Sequence, residues 1–298
     1  MTAYEWALVL ITVSMSLLAL WVARRQKLGW PTGLWMSIGC PLLCLLCARV
    51  YYLAVSSVSG MWLFWGNGFL SREPYDYAFG GGVLGFLLAL KLLCAFWKKP
   101  WSVVSDAYAP VGLAAIAALR AAEAFSDFGW GDPVEAAWLQ RYPFAISNMY
   151  DEWCAAIFNL EALCALVILA ILLLRGRKLA GRKLSTGLIW WAVTQIFCES
   201  FRVESIQWGF LRVQQLQSAL IVLTLLLVAT LRLPRGKRSK SLPYWGGFAL
   251  SVGLVIFLEY ALDKMPWPTW LNYLGMAAAL ALMGFCPQRL TRLSREGV

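Results

Sequence analysis

The sequence predicts an all-α integral membrane protein, a polytopic helical bundle of seven transmembrane helices plus a C-terminal two-helix hairpin, nine in total. Three observations predict it. Hydrophobic residues make up 60% of the 298 and charged residues only 14%, too apolar a mixture for a soluble domain of this size. Many of the 17 tryptophans lie near the ends of apolar runs (Trp6, Trp30, Trp62, Trp65, Trp97, Trp101, Trp153, Trp245, Trp267), as in an interfacial belt. Basic residues fall in every second connection.

The helices follow in order from their apolar runs. The first, 4–23, has no positive segment before it and carries Arg24, Arg25 and Lys27 after it. No small-residue cleavage site follows, so it reads as an uncleaved helix with its N-terminus outside. The second, 33–55, holds Cys40, Cys44 and Cys47 and, near its outer end, Arg49. The third, 78–97, opens on Gly80-Gly81-Gly82 and stops at Lys98 and Lys99. The fourth, 102–125, begins near Asp106, which reads as a cap or orienting group, and ends with Arg120 and Glu123. The fifth, 153–174, carries Glu161 about two turns in and is followed by a basic loop, 175–183. The sixth, 185–203, places Gln195, Glu199 and Arg202 on one face. The seventh, 213–231, leads into a basic linker. The hairpin helices, 245–262 and 269–286, carry few polar groups. Residues 1–231 thus form one membrane domain, and 232–298 the linker and appended hairpin.

With the N-terminus outside, the inner connections hold 18 of the 26 basic residues. The positive-inside rule then puts the C-terminus in the cytoplasm. The net charge of +10 follows from those loops and not from one basic face, which excludes nucleic acid as the partner it would otherwise suggest. Two outer segments, 56–77 and 126–152, are long and rich in aromatic residues, which suits folding against the outer membrane face. Eight cysteines show no metal-ligand spacing and read as packing residues; no metal and no cofactor is expected. The chain contains no histidine, which removes the commonest general base near neutral pH.

The informative residues are the charges inside apolar runs. Arg49, Arg120, Glu123, Glu161, Glu199 and Arg202 come from four helices and share the outer half of the bilayer. A charge at mid-bilayer costs about 2.5–3.5 kcal/mol on insertion scales, so these groups must meet one another or a polar ligand. Two readings stand: internal ion pairs that orient the bundle, or a substrate site. Guanidinium at headgroup depth suits a lipid phosphate. Gly80, Gly81 and Gly82 likewise suit either an anion at a helix start or close helix packing.

Taken in order, these segments resemble the prolipoprotein diacylglyceryl transferases. Cys47-Ala-Arg-Val-Tyr-Tyr-Leu53 resembles that family's G-A-R-x-x-Y segment, and Phe79-Gly-Gly-Gly-Val-Leu-Gly85 its F-H-G-G-x-x-G segment. Asp106-Ala-Tyr-Ala-Pro110, leading to Leu119-Arg120, resembles D-x-x-A-P followed by G-R-x-G-N. Leu160-Glu-Ala-Leu163 resembles Y-E-A-L. Glu199-Ser-Phe-Arg202 and Gln214-Gln-Leu-Gln-Ser218 resemble E-x-x-R followed by G-Q-x-x-S. Order and spacing agree over about residues 4–231. The departures are that Gly80 stands where the family has histidine, Glu123 where it has asparagine, Gln195 where it has an arginine, and Leu119 where it has glycine.

The resemblance implies transfer of diacylglyceryl from phosphatidylglycerol to the lipobox cysteine of a preprolipoprotein signal peptide, in lipoprotein biosynthesis. It implies phosphatidylglycerol or a related anionic lipid and the lipobox as partners. Arg49, Arg120 and Arg202 would bind the phosphate, with Glu161 and Gly80–Gly82 around it; Glu199 would orient Arg202, and Glu123 or Glu199 would act as base. The alternative is a catalytically altered or non-enzymatic lipid-binding or transport protein on the same scaffold.

Overall fold

The computed structural model describes residues 2–58, 76–126, 128–148, 151–203, 205–208 and 211–296. Most of the outer segment 56–77, with Trp62 and Trp65, lies outside the described residues. The fold is 76% helical, and eight of its helices are long and apolar enough to cross a membrane. The helices are α1 (Ala3–Arg25), α2 (Trp30–Leu34), α3 (Cys40–Val58), α4 (Phe79–Phe96), α5 (Trp101–Ala122), α6 (Ile157–Leu174), α7 (Lys183–Glu199), α8 (Val213–Leu231), α9 (Leu242–Lys264) and α10 (Thr269–Glu296). All nine expected helices are present, α2 and α3 forming one span. At 17 residues, α7 is the shortest of the nine.

Two compact units make up the chain: Met1–Leu184 with Arg202–Gln214, and Ser185–Phe201 with Gln215–Val298. In the first unit the second span is interrupted by a π-helical turn at Trp35–Gly39. Pro41 explains it, because proline has no N–H and its ring crowds the carbonyl four residues back. That carbonyl, Ser37 O, accepts from Ser16 Oγ of α1 at 2.6 Å. Ser37 Oγ donates back to Ser16 O at 2.9 Å. The proline break is thereby turned into a polar clasp between two apolar helices.

Helix α4 lies close against α3 because its facing residues lack side chains. A Cβ on Gly85 would come within 2.6 Å of Cys44 Cα and Leu43 O, and one on Gly81 would collide with Cys47 O and Ala48. These glycines are four apart, the spacing of close helix crossings in membranes. Helix α5 is tied at its start by Asp106, whose carboxylate accepts from the backbone N–H of Gly181 and, at 2.9 Å, of Lys183. It therefore caps α7 instead of its own helix.

Between α5 and α6 lies a small antiparallel hairpin, β1 (Ala145–Ser147) with β2 (Trp153–Ala155). Residues 153–155, expected as the start of a helix, are instead extended. Their backbone groups are engaged sideways: Ala155 N donates to Asp132 O at 3.0 Å, and Trp153 O accepts from Val134 N at 2.7 Å. A second short pair, β3 (Gln207–Trp208) with β4 (Leu211–Arg212), precedes α8.

In the second unit α9 packs along α10. Helix α10 runs to Glu296, ten residues beyond the expected end at 286. The helix accommodates Pro287, and Thr291 Oγ donates to Pro287 O at 2.7 Å. The hairpin's one charged side chain within the expected helices is engaged. Glu259 Oε1 of α9 accepts from Ser200 Oγ at 2.8 Å and from Gln215 Nε2 at 2.5 Å.

Replacing Gly85 with leucine is expected to lower the thermal midpoint in detergent by several degrees, since overpacking costs about 1–3 kcal/mol. Gly82→Ala, where a Cβ meets nothing within 4 Å, should leave it unchanged. Equal midpoints for the two variants would remove the close-packing role of Gly85.

Candidate functional site

Four of the expected charges meet in the first unit. Arg120 lies in the last turn of α5. Glu123 opens the 3-10 turn that continues it. Glu161 lies in the second turn of α6. Arg202 is set by backbone pairing with Gly131 and by Val203 N donating to Trp130 O at 3.2 Å. Arg212 Nη1 then donates to Arg202 O at 2.7 Å.

The side chains close into a ring. Arg120 Nη1 is 2.5 Å from Glu123 Oε1, and Arg120 Nε is 2.5 Å from Glu161 Oε2. Arg202 Nη2 is 2.7 Å from Glu123 Oε2, and Arg202 Nε is 3.3 Å from Glu161 Oε1. Each carboxylate touches both guanidiniums and each guanidinium both carboxylates. All four side chains are at most 7% exposed. Two positive and two negative charges cancel, which is what lets them stay buried in an apolar layer.

Neighbours hold the ring in place. Gly129 has φ +87°, and a Cβ there would stand 2.5 Å from Glu123 Oε2 and 3.3 Å from Arg202 Nη2. Both its backbone angle and the space exclude a side chain. The Phe79 ring lies 4.0 Å from Arg120 Cζ, a cation–π contact made by the residue just before Gly80. One donor on the ring is left over: Arg120 Nη2 is buried and finds no hydrogen-bond partner among the described residues. The same holds for Trp130 Nε1, on the segment that braces Arg202.

Arg49 makes a second pair. Its Nη1 donates to Asp76 O at 2.9 Å and lies 3.4 Å from Asp76 Oδ2, with both side chains buried. Tyr52 and Tyr77 face its guanidinium at 5.6 and 5.8 Å. Sequence reading missed Asp76. The signal was available, since a buried arginine at that depth demands an acid and Asp76 is the acid next to the start of α4. Of the glycines, Gly81 is committed to packing on α3, Gly82 is open, and Gly80 is buried. Glu199 is fully buried at the end of α7, in the second unit together with Gln195. Among the described residues no group of three His, Cys, Asp or Glu is placed to hold a metal.

Comparison with known proteins adds a family. The sequence model of the prolipoprotein diacylglyceryl transferases matches residues 3–231. Among similar curated proteins is the phosphatidylglycerol–prolipoprotein diacylglyceryl transferase of Bacillus cytotoxicus, 27% identical over 72% of this chain and 84% of its own length. The proteins of the same name from Bacillus cereus and Clostridium novyi are each 28% identical. They cover 75% and 60% of this chain and 86% and 71% of their own lengths.

Breaking the ring should be costly. Glu161→Gln leaves two buried guanidiniums sharing one carboxylate, and loss of one partner of a buried pair costs about 3–5 kcal/mol. A thermal unfolding scan in detergent should show a large drop, while Glu152→Gln, on the exposed hairpin, should show none. An unchanged midpoint for Glu161→Gln would rule out the ring as a stabilising element.

Proposed function

Because the chain belongs to the prolipoprotein diacylglyceryl transferase family, we propose that it moves diacylglyceryl from phosphatidylglycerol to the lipobox cysteine of a preprolipoprotein. It would do so in the bacterial plasma membrane, with its N-terminus outside and its C-terminus in the cytoplasm. The observation that carries this reading is the buried ring of Arg120, Glu123, Glu161 and Arg202 with one guanidinium donor, Arg120 Nη2, left for a ligand. A donor buried without a partner costs about 1–3 kcal/mol. A phosphate oxygen would satisfy it, in the charge-assisted geometry that suits arginine.

The reaction forms one bond and breaks one. The cysteine sulfur attacks the glyceryl carbon that carries the phosphate ester. The C–S thioether forms, the C–O bond breaks, and the electron pair leaves with glycerol phosphate. Donors aimed at the phosphate stabilise the charge that grows there. The thiol proton needs an acceptor, since thiolate is the better nucleophile. Glu123 accepts bonds from both guanidiniums, so it can take a proton only when one of them lets go. Phosphate binding offers the reason: a lipid phosphate drawing Arg120 toward itself would free Glu123 Oε1. Arg49, held by Asp76, remains the further phosphate ligand.

One observation favours a second reading. Gly80 stands where the resemblance puts histidine, and the chain has no histidine anywhere. A protein that binds the lipid without transferring it needs no base.

A transfer assay decides between the two. Detergent-purified protein is given labelled phosphatidylglycerol and a lipobox peptide, with a cysteine-to-serine peptide as control. The expected result is thiol-dependent label on the peptide with glycerol phosphate released. Arg120→Gln should cut the rate by about 10²–10³, the loss typical of one charge-stabilising donor, in a variant whose folding is checked by its thermal midpoint. Full activity in that variant would remove the phosphate-binding role, and bound lipid left intact with no label transferred would establish the second reading.

A further inference from the structure

The family match ends at residue 231, so nothing in it accounts for the hairpin of α9 and α10. At the end of that hairpin where α9 begins and α10 finishes lies a cavity of about 330 Å³ lined by Tyr244, Phe285, Arg289, Arg292 and Leu293. Arg289 and Arg292 are three apart and share one helix face. Arg289 Cζ lies 5.1 Å from the Phe285 ring. Tyr244 brings a phenol from the first turn of α9. Ser241, the residue at the N-cap of α9, gives its hydroxyl to Arg238 O at 2.7 Å, and no side chain caps that helix start.

The linker that leads into α9 is basic in sequence: residues 232–241 hold Arg232, Arg235, Lys237, Arg238 and Lys240 and no acid. Depth agrees with a headgroup. Along α10 the rise is about 1.5 Å per residue, so Arg289 and Arg292 stand roughly 30 and 35 Å from Thr269, near the far boundary of a hydrocarbon core about 30 Å thick. Beyond the cavity, α9 exposes Leu250, Leu254, Ile256 and Phe257, an apolar surface suited to acyl chains. Space for a headgroup, paired arginines, a hydroxyl and exposed apolar side chains farther along α9 are the parts of a lipid headgroup site.

We propose that this cavity binds the phosphodiester headgroup of an anionic phospholipid, in the leaflet that faces the basic loops. Arg289 and Arg292 take the phosphate oxygens, Tyr244 donates its hydroxyl, and the acyl chains run along α9. The site would anchor the hairpin in anionic membrane and is built wholly from residues beyond the family match.

Native mass spectrometry of the full chain in nonionic detergent tests it, by titration with phosphatidylglycerol and, separately, phosphatidylcholine. The variants are R289Q/R292Q and R289K/R292K, each also made with Arg120→Gln so that lipid held at the ring is counted apart. In both backgrounds the double glutamine variant should bind phosphatidylglycerol at least tenfold more weakly at one site. The double lysine variant should keep most of that binding, and phosphatidylcholine should be unaffected throughout. Single variants Arg289→Gln and Tyr244→Phe should show intermediate losses, so that a misfolded double variant does not decide the matter. Equal phosphatidylglycerol binding in the wild-type chain and the glutamine variants would overturn the site. Displacement of the lipid by millimolar inorganic phosphate would overturn the lipid assignment in favour of free phosphate.

Discussion

Charge balance in a medium without water is the constraint on which the first unit depends. Arg120 and Arg202 can be buried because Glu123 and Glu161 each touch both of them. The ring in turn dictates its surroundings. It requires the 3-10 turn after α5 to bring Glu123 round, glycine at 129 to make room, and pairing with Gly131 to hold Arg202. The segment between α5 and α6 therefore has a structural task. Its hairpin locks residues 128–134 into the conformation that the ring needs, through Gly131 N to Ala155 O at 2.8 Å and Val134 N to Trp153 O at 2.7 Å.

The sequence revealed the membrane class and all nine helices because apolar length is a one-dimensional signal that needs no partner. It revealed the ring's members for a related reason: each is an anomaly in its own run. What it hid were pairings. Arg49 was visible by itself, whereas Asp76, an acid at a segment edge with no anomaly of its own, was legible only through the partner that Arg49 demands. Residues 153–155 look as apolar as the helix that follows, and only hydrogen bonds to β1 and to residues 131–134 make them extended. Pro287 gives a stop signal that α10 overrides, since a proline costs its helix one hydrogen bond and the turns on either side can still form.

The second unit shows the same logic at smaller scale. Glu259 sits in a helix otherwise almost free of charge, and its acceptor oxygen is met by Ser200 and Gln215, which bond each other at 3.1 Å. Tyr273 stacks on Phe201 at 4.4 Å, and Gly284 leaves room for Val193 and Trp190. The residues that the sequence grouped with the family-like domain, α7 and α8, are thus the ones the hairpin packs upon. A hairpin joined by a carboxylate network and glycine contacts is an integral part of that unit and not a tail carried beside it.

The departures from the family pattern can be weighed as charge. Glutamate at 123 in place of asparagine adds one negative charge, and glutamine at 195 in place of arginine removes one positive charge. Both changes make the apolar interior less cationic. In the ring the first is what brings the sum to zero; with asparagine at 123 the same four residues would carry a net positive charge, ready for a phosphate. In the proposed mechanism a phosphate seated on Arg120 Nη2 would draw on a guanidinium that Glu123 also holds through Nη1, and so would compete with it. That competition is a cost in affinity, and it is also the one event that would free Glu123 to accept a proton in a chain without histidine. Binding and proton acceptance would then be a single step, which links the extra carboxylate to the missing base.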